Sequence, residues 1–169
     1  MNGLDFVYNT ILDAVGRLPE IQLVPSVGKN VNLGNLRPLP QNVIVTRTAP
    51  QIELLKGASL CITHAGLNTT LESLGQGVPM VAIPIGYDQP GVAARIAHHG
   101  VGEFIEIASL TTENLQGTIL KVLENRRYQE NARHFRRVIA QTRGLDIAAE
   151  VIEQAFGKKQ DGFGGEARV

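Results

Sequence analysis

Leu4, Val7, Ile11, Ala14, Val15 and Leu18 recur at three- and four-residue steps, which predicts an amphipathic helix over 4–18 that Pro19 ends. The pattern then shortens. An apolar run at 21–24 reads as a buried strand, and 25–42, rich in Gly, Asn and Pro, as a loop. A strand at 43–45 follows, then a short helix at 51–56 behind Pro50. Strands are expected at 60–63, 80–83 and 102–105. Between them lie helices at 68–76, stopped by Gly77, and 90–99, stopped by Gly100. Helices at 111–124, 126–143 and 146–156 complete the chain. Strands and helices alternate, the sign of a doubly wound, mostly parallel sheet with helices on both faces. Residues 1–156 are expected to form one domain. Residues 157–169 mix glycines and charges without periodicity and read as a flexible tail.

Composition narrows the partners. At 169 residues, one domain with a sizeable core is expected. Sixteen basic residues balance sixteen acidic ones, which argues against nucleic acid as the main partner. Arg126, Arg127, Arg133, Arg136, Arg137 and Arg143 then read as a solvated helix face, interleaved with Glu124 and Glu130. Cys61 is the sole cysteine, so no internal disulfide can form, and it reads as a small buried hydrophobe. His98 and His99 close a helix, where imidazoles suit the dipole's carboxyl end. No metal-ligand spacing of the H-x-x-x-H or C-x-x-C kind occurs, so no metal is expected. No apolar run reaches the ~20 residues of a membrane helix. Asp5 and Asn9 interrupt any leader-like stretch, and a cytoplasmic location is expected.

The chemistry concentrates in 61–94, C-I-T-H-A-G-L-N-T-T-L-E-S-L-G-Q-G-V-P-M-V-A-I-P-I-G-Y-D-Q-P-G-V-A-A. A strand, a small-residue turn and a helix start succeed one another. Free N–H groups and the positive dipole end at such a helix start suit an anion, phosphate above all. His64 can add a directional N–H, and Gly66 lets a ligand approach the backbone; simple turn roles are the alternatives. Asn68 and Thr69 read as cap and first-turn residues that can also donate to an anion. Glu72 lies about one turn further on, where a dipole-favoured glutamate is the plain alternative. Asp88 and Gln89 end the next loop, and a capping aspartate is again an alternative. No G-x-G-x-x-G turn joins a strand to a helix.

The run H-A-G-L-N-T-T-L-E, then G-V-P, then P-I-G-Y-D-Q resembles the donor-binding signature of UDP-sugar glycosyltransferases with two facing Rossmann-like domains. T-A-P-Q at 48–51 resembles that family's W-x-P-Q box. The details look closest to zeaxanthin glucosyltransferases and related bacterial enzymes. The resemblance implies that 1–156 is a Rossmann-like nucleotide-sugar donor domain, the C-terminal half of a two-domain enzyme. It implies donor-diphosphate contacts at His64, Gly66, Asn68 and Thr69, ribose contacts at Glu72 and Gln51, and base contacts at Thr48 and Ala49. The transferred sugar would meet Asp88 and Gln89. The family's stacking tryptophan is replaced by Thr48, with Arg47 as a candidate platform.

The implied activity is transfer of a hexose, glucose first, from a UDP-sugar to an acceptor hydroxyl, conceivably on a carotenoid, with no cofactor. The family's opening strand, acceptor domain and catalytic histidine are not found in this sequence. The chain is therefore expected to supply the donor half, to lack catalytic residues of its own, and to be inactive alone. Loss of the opening strand would leave 21–24 and 60–63 unpaired on one side each, or pair them directly or through another chain. Homo-oligomers by strand exchange, and peripheral membrane association of the complete enzyme, are the remaining partner expectations. The competing readings are a non-catalytic nucleotide-binding module and a sugar-nucleotide epimerase; Asp88-Gln89 argues against the second.

Overall fold

The computed structural model describes residues 5–29 and 31–157. Among these residues seven α-helices and three strands follow in order, alternating from β1 to α5: α1 (Asp5–Gly16), α2 (Gln51–Gly57), β1 (Cys61–Thr63), α3 (Leu67–Gln76), β2 (Met80–Ala82), α4 (Gln89–His98), β3 (Gly102–Phe104), α5 (Thr112–Glu124), α6 (Arg126–Gln141) and α7 (Gly144–Gly157). The strands form one parallel sheet in the order β1-β2-β3, with Cys61 opposite Met80 and Met80 opposite Gly102.

Central β2 shows why the fold is layered. Successive side chains along a strand point to opposite faces. Val81 and Ile83 enter a core with Val7, Val15 and Leu18 from the α1 region and Leu115, Ile119 and Val122 of α5. Met80 and Ala82 enter another with Leu74 of α3, Val92, Ala93 and Ile96 of α4, and Ala132 of α6. β2 is fully buried, so its near-continuous apolar run is the expected sequence of a strand covered on both sides. Each fully buried large side chain contributes about 1.5–3 kcal/mol.

Two expected strands take another form. Segments 21–24 and 43–45 meet only in isolated parallel bridges, Leu23 with Val43 and Ser26 with Thr46. Pro25 has no N–H to donate and interrupts the ladder, while its carbonyl still accepts from Thr46 N at 3.0 Å. Asn42, read as a loop residue, has a structural task. Its Nδ2 donates to the carbonyls of Val15, Leu18 and Ile21 at 2.9, 3.0 and 2.8 Å, closing the open end of α1. Among the described residues no bridge joins 21–27 to β1, which is an edge of the sheet; of the alternatives, direct pairing of the two segments is not found.

The last two helices differ. α6 buries Tyr128 and Ala132 and packs Phe135 and Ile139 on the α3–α4 side, while its arginines stay exposed, as expected. From 144 to 156 every residue of α7 is exposed, including Leu145, Ile147, Val151, Ile152 and Phe156. Of the tail expected at 157–169, Gly157 is the last residue of α7, and 158–169 lie outside the described residues.

Candidate donor site

α3 begins at Leu67, and its N-cap is Gly66, not Asn68. The carbonyl of Gly66 accepts from Thr70 N at 3.0 Å, which starts the helix two residues earlier than Asn68 would. Asn68 and Thr69 are therefore second and third helical residues. No side chain caps this helix, and its first turn holds no acid. By contrast, Thr111 caps α5 and Asn125 caps α6 through their side-chain oxygens. The N–H groups of Leu67, Asn68 and Thr69 thus point out of α3 without an intrahelical acceptor. The positive end of the dipole faces solvent unneutralised.

The approach to this helix end is tightly shaped. Ala65 is fully buried with φ 66°, a left-handed conformation uncommon for a residue with a Cβ. Its N–H donates to Thr63 Oγ1 at 3.2 Å. This turn throws the exposed His64 ring back across Gly66. A Cβ at Gly66 would stand 2.6 Å from His64 Nε2, so the absence of a side chain there makes room for the imidazole. Among the described residues the His64 ring makes no hydrogen bond, which leaves its nitrogens free.

Gln51, Thr69 and Glu72 come together. Gln51 Nε2 donates to Thr69 Oγ1 at 3.2 Å and to Glu72 Oε2 at 2.5 Å. Thr48 and Ala49 lead directly into α2, and the Thr48 carbonyl accepts from Thr46 Oγ1 at 2.7 Å. Arg47 reaches elsewhere. Its Nη1 donates to the carbonyls of Lys29 at 3.0 Å and Val31 at 3.4 Å, tying the guanidinium to that loop.

The loop after β2 carries the remaining candidates. Asp88 is the N-cap of α4 but makes no side-chain cap bond, so its exposed carboxylate is uncommitted. Gln89 is half committed: its Oε1 accepts from Ile85 N at 2.8 Å and Gly86 N at 3.0 Å. Only its NH₂ group remains for a ligand. That commitment fixes the loop, and sequence spacing gave no sign of it. β1 and β2 are adjacent and parallel, so both loops emerge on the same side, at the carboxyl ends of neighbouring strands.

Behind the site, Cys61 is part-buried. Burial pushes its thiol up, with the Ser73 hydroxyl acting in the opposite direction, in keeping with an inert thiol. A separate concavity of about 580 Å³ between β3 and α5 is lined by Glu103, Glu106, Glu113 and Lys121 among others, and includes none of the candidate residues. No group of three or more metal-ligating side chains occurs among the described residues, and no helix there is long and apolar enough to cross a membrane.

Fold and candidate site together define a parallel α/β unit whose uncapped α3 N-terminus is flanked by two polar loops. Residues 9–154 match the family model described as UDP-glucoronosyl and UDP-glucosyl transferase. The chain belongs to this family. It is 38% identical over 138 residues to the uncharacterized UDP-glucosyltransferase YojK of Bacillus subtilis, covering 82% of this chain and 34% of that protein. Zeaxanthin glucosyltransferase of Pantoea ananas is also a relative, 35% identical over 109 residues, covering 64% and 25%. The closeness to zeaxanthin glucosyltransferases expected from the motifs is thus corrected: that enzyme is a relative but matches over a shorter stretch than YojK. Among solved structures, the glycotransferase of kitacinnamycin matches with a TM-score of 0.82 and 33% identity over 90% of this chain and 39% of that one. The chain spans about a third of the length of the curated relatives it matches.

Proposed function

We propose that this chain is the donor-binding half of a glycosyltransferase that moves a hexose, glucose first among the candidates, from a UDP-sugar to an acceptor hydroxyl. The observation that carries this reading is the uncapped N-terminus of α3 with the unpartnered His64 ring lying across it. A leaving diphosphate gathers negative charge as the sugar departs. N–H groups already aimed at it stabilise that charge without reorganising. His64, Gly66, Asn68 and Thr69 would face the diphosphate, with Glu72 and Gln51 toward the ribose and Thr48 and Ala49 toward the base. Asp88 and the NH₂ of Gln89 would hold sugar hydroxyls.

The acceptor, and the base that deprotonates it, would come from polypeptide outside the matched third of the relatives. A carotenoid hydroxyl is the first acceptor to try, because zeaxanthin glucosyltransferase is among the relatives. The test is calorimetric titration of the chain with UDP, dTDP and pyrophosphate. We expect UDP to bind most tightly and His64→Ala to weaken it about tenfold or more, the worth of a hydrogen bond to a charged oxygen. An unchanged dissociation constant in His64→Ala would overturn the reading.

A further inference from the structure

We propose that the outer face of α6 docks on an anionic lipid bilayer, held through Arg126, Arg133 and Arg137. The inference stands apart from the donor-site reading and does not use it.

Helical spacing fixes which way α6 faces. Its core-facing positions are Tyr128, Ala132, Phe135 and Ile139, at steps of four, three and four. The same steps counted from Arg126 give Arg126, Glu130, Arg133 and Arg137, the row on the opposite side. Arg127, His134 and Arg136 flank that row, and all seven residues are exposed. Three guanidinium groups are thus spread along about 17 Å of one helix side.

These charges are not spent inside the chain. α6 holds five arginines and one glutamate, a net +4, in a chain whose net charge is zero. Among the described residues the ion pairs use Arg17, Arg37, Lys56, Lys121 and Arg143, and none of the five. The interleaving with Glu124 and Glu130 read from the sequence produces no ion pair. Nor does helix capping occupy the arginines. Arg133 and Arg136 lie against Gly77, at the C-terminal end of α3. The carbonyls there already have partners: those of Ser73 and Leu74 accept from Val78 N and Gly77 N at 2.9 Å, and that of Gly77 from Gln129 Nε2 at 2.6 Å.

The chemistry selects a bilayer. Guanidinium forks meet phosphate and carboxylate oxygens bidentately. A row of arginines on a convex helix does not enclose one small anion. It does match a flat array of anionic headgroups, where each cation adds to the affinity. Apolar side chains accompany the cations: Val138 is 44% exposed on α6, and Leu145, 89% exposed, stands near the start of α7. Such groups suit a lipid interface and find no counterpart along a phosphodiester backbone. The Gly77 end of α3, where α6 packs, is about 15 Å from the Gly66 end. A bilayer seated on α6 therefore leaves the candidate donor residues uncovered.

The experiment is co-sedimentation of the full chain with two kinds of vesicle. One is phosphatidylcholine alone; the other is about three parts phosphatidylcholine to one of phosphatidylserine. The chain should bind the mixed vesicles at low salt, leave them as salt screens the charges, and ignore the neutral ones. Arg126→Gln, Arg133→Gln and Arg137→Gln together should weaken binding about 100-fold. The same loss of charge at Arg17, Arg37 and Lys56, all to Gln, should weaken it less than about fivefold, because those groups stand off the surface. If the two triple variants lose equally, net charge alone is at work and the inference is overturned. Equal binding to both vesicles overturns it too, and so does tighter binding to a nucleic-acid duplex at matched phosphate concentration. Should the arginine variant unfold, Glu130→Gln removes the one acid of the row and should tighten vesicle binding about fivefold; no change overturns the inference. Excess UDP should leave vesicle binding as it was, and displacement by UDP would move the contact to the mouth of α3 and overturn the α6 assignment.

Discussion

Adding a single methyl group at Gly66 separates the architecture of the site from its chemistry. The backbone there, φ −63° and ψ 135°, is open to any L-residue, so Gly66→Ala introduces no torsional strain. Its Cβ would lie 2.6 Å from His64 Nε2, 3.2 Å from Cε1 and 3.5 Å from Cδ2. The first of these is closer than atoms tolerate, and His64 is exposed, so the ring swings away at little cost. Two small effects on stability oppose one another. Alanine is a poorer N-cap than glycine, and alanine also has less unfolded-state entropy to lose; each is worth roughly 0.5–1 kcal/mol. The melting temperature should therefore barely move.

Binding should suffer. A displaced imidazole forfeits a hydrogen bond to a charged phosphate oxygen, about 1.5–3 kcal/mol or roughly 10- to 150-fold in dissociation constant. The assay pairs UDP calorimetry with a thermal melt on Gly66→Ala, His64→Ala and the double variant. The double variant should bind no worse than His64→Ala alone, because both substitutions remove one interaction. If Gly66→Ala binds UDP as tightly as the unmodified chain, the ring does not serve the anion and the reasoning fails.

Two further outcomes concern the scaffold. Gly102→Ala would drive a Cβ to 2.0 Å from the Met80 carbonyl oxygen, a backbone atom that cannot step aside, so β2 and β3 must separate. Urea unfolding should register a loss of about 3 kcal/mol or no folded protein, and a loss under about 1 kcal/mol would contradict the close approach. In β3, burial tends to raise the Glu103 carboxyl. Hydrogen bonds from Lys121, at 2.7 Å, and from the Tyr128 hydroxyl, with the Lys121 charge, outweigh it and hold the group below its ordinary value. A carboxyl lowered on folding stabilises the native state above its unfolded pKa, and that contribution disappears as pH falls through the folded value. Glu103→Gln should therefore cost about 1 kcal/mol near neutral pH, kept small because Lys121 is mostly exposed, and nothing in acid. Equal destabilisation at both pH values would refute it.

Much of this molecule could be read from its letters. The apolar run at 80–83 predicted a strand, and Gly77 was recognisable as a stop; it adopts φ 72°. The polar residues after β1 and β2 were legible as a candidate site because strand ends in such sheets carry ligands. What stayed hidden depends on side-chain commitments that spacing does not encode. Asn42 closes α1 from 27 residues away, through the Val15 carbonyl, which no local pattern reveals. Gln89 spends its oxygen on the loop that carries it. Gly66 replaced Asn68 as the cap because a backbone carbonyl, available at any residue, began the helix. Segments 21–24 and 43–45 looked like full strands by composition, yet Pro25 reduced them to bridges.

The three strands are each only three residues long, and the two polar loops leave from adjoining rungs of the same ladder. A slip of one rung between Thr63 and Ala82 would carry His64 and Asp88 past each other by a full residue while reversing which side chains face inward. Foundation and instrument are here one piece. Substitutions at the loop tips leave this register untouched, whereas any attempt to shift the spacing of the two tips must rebuild the interior along with it.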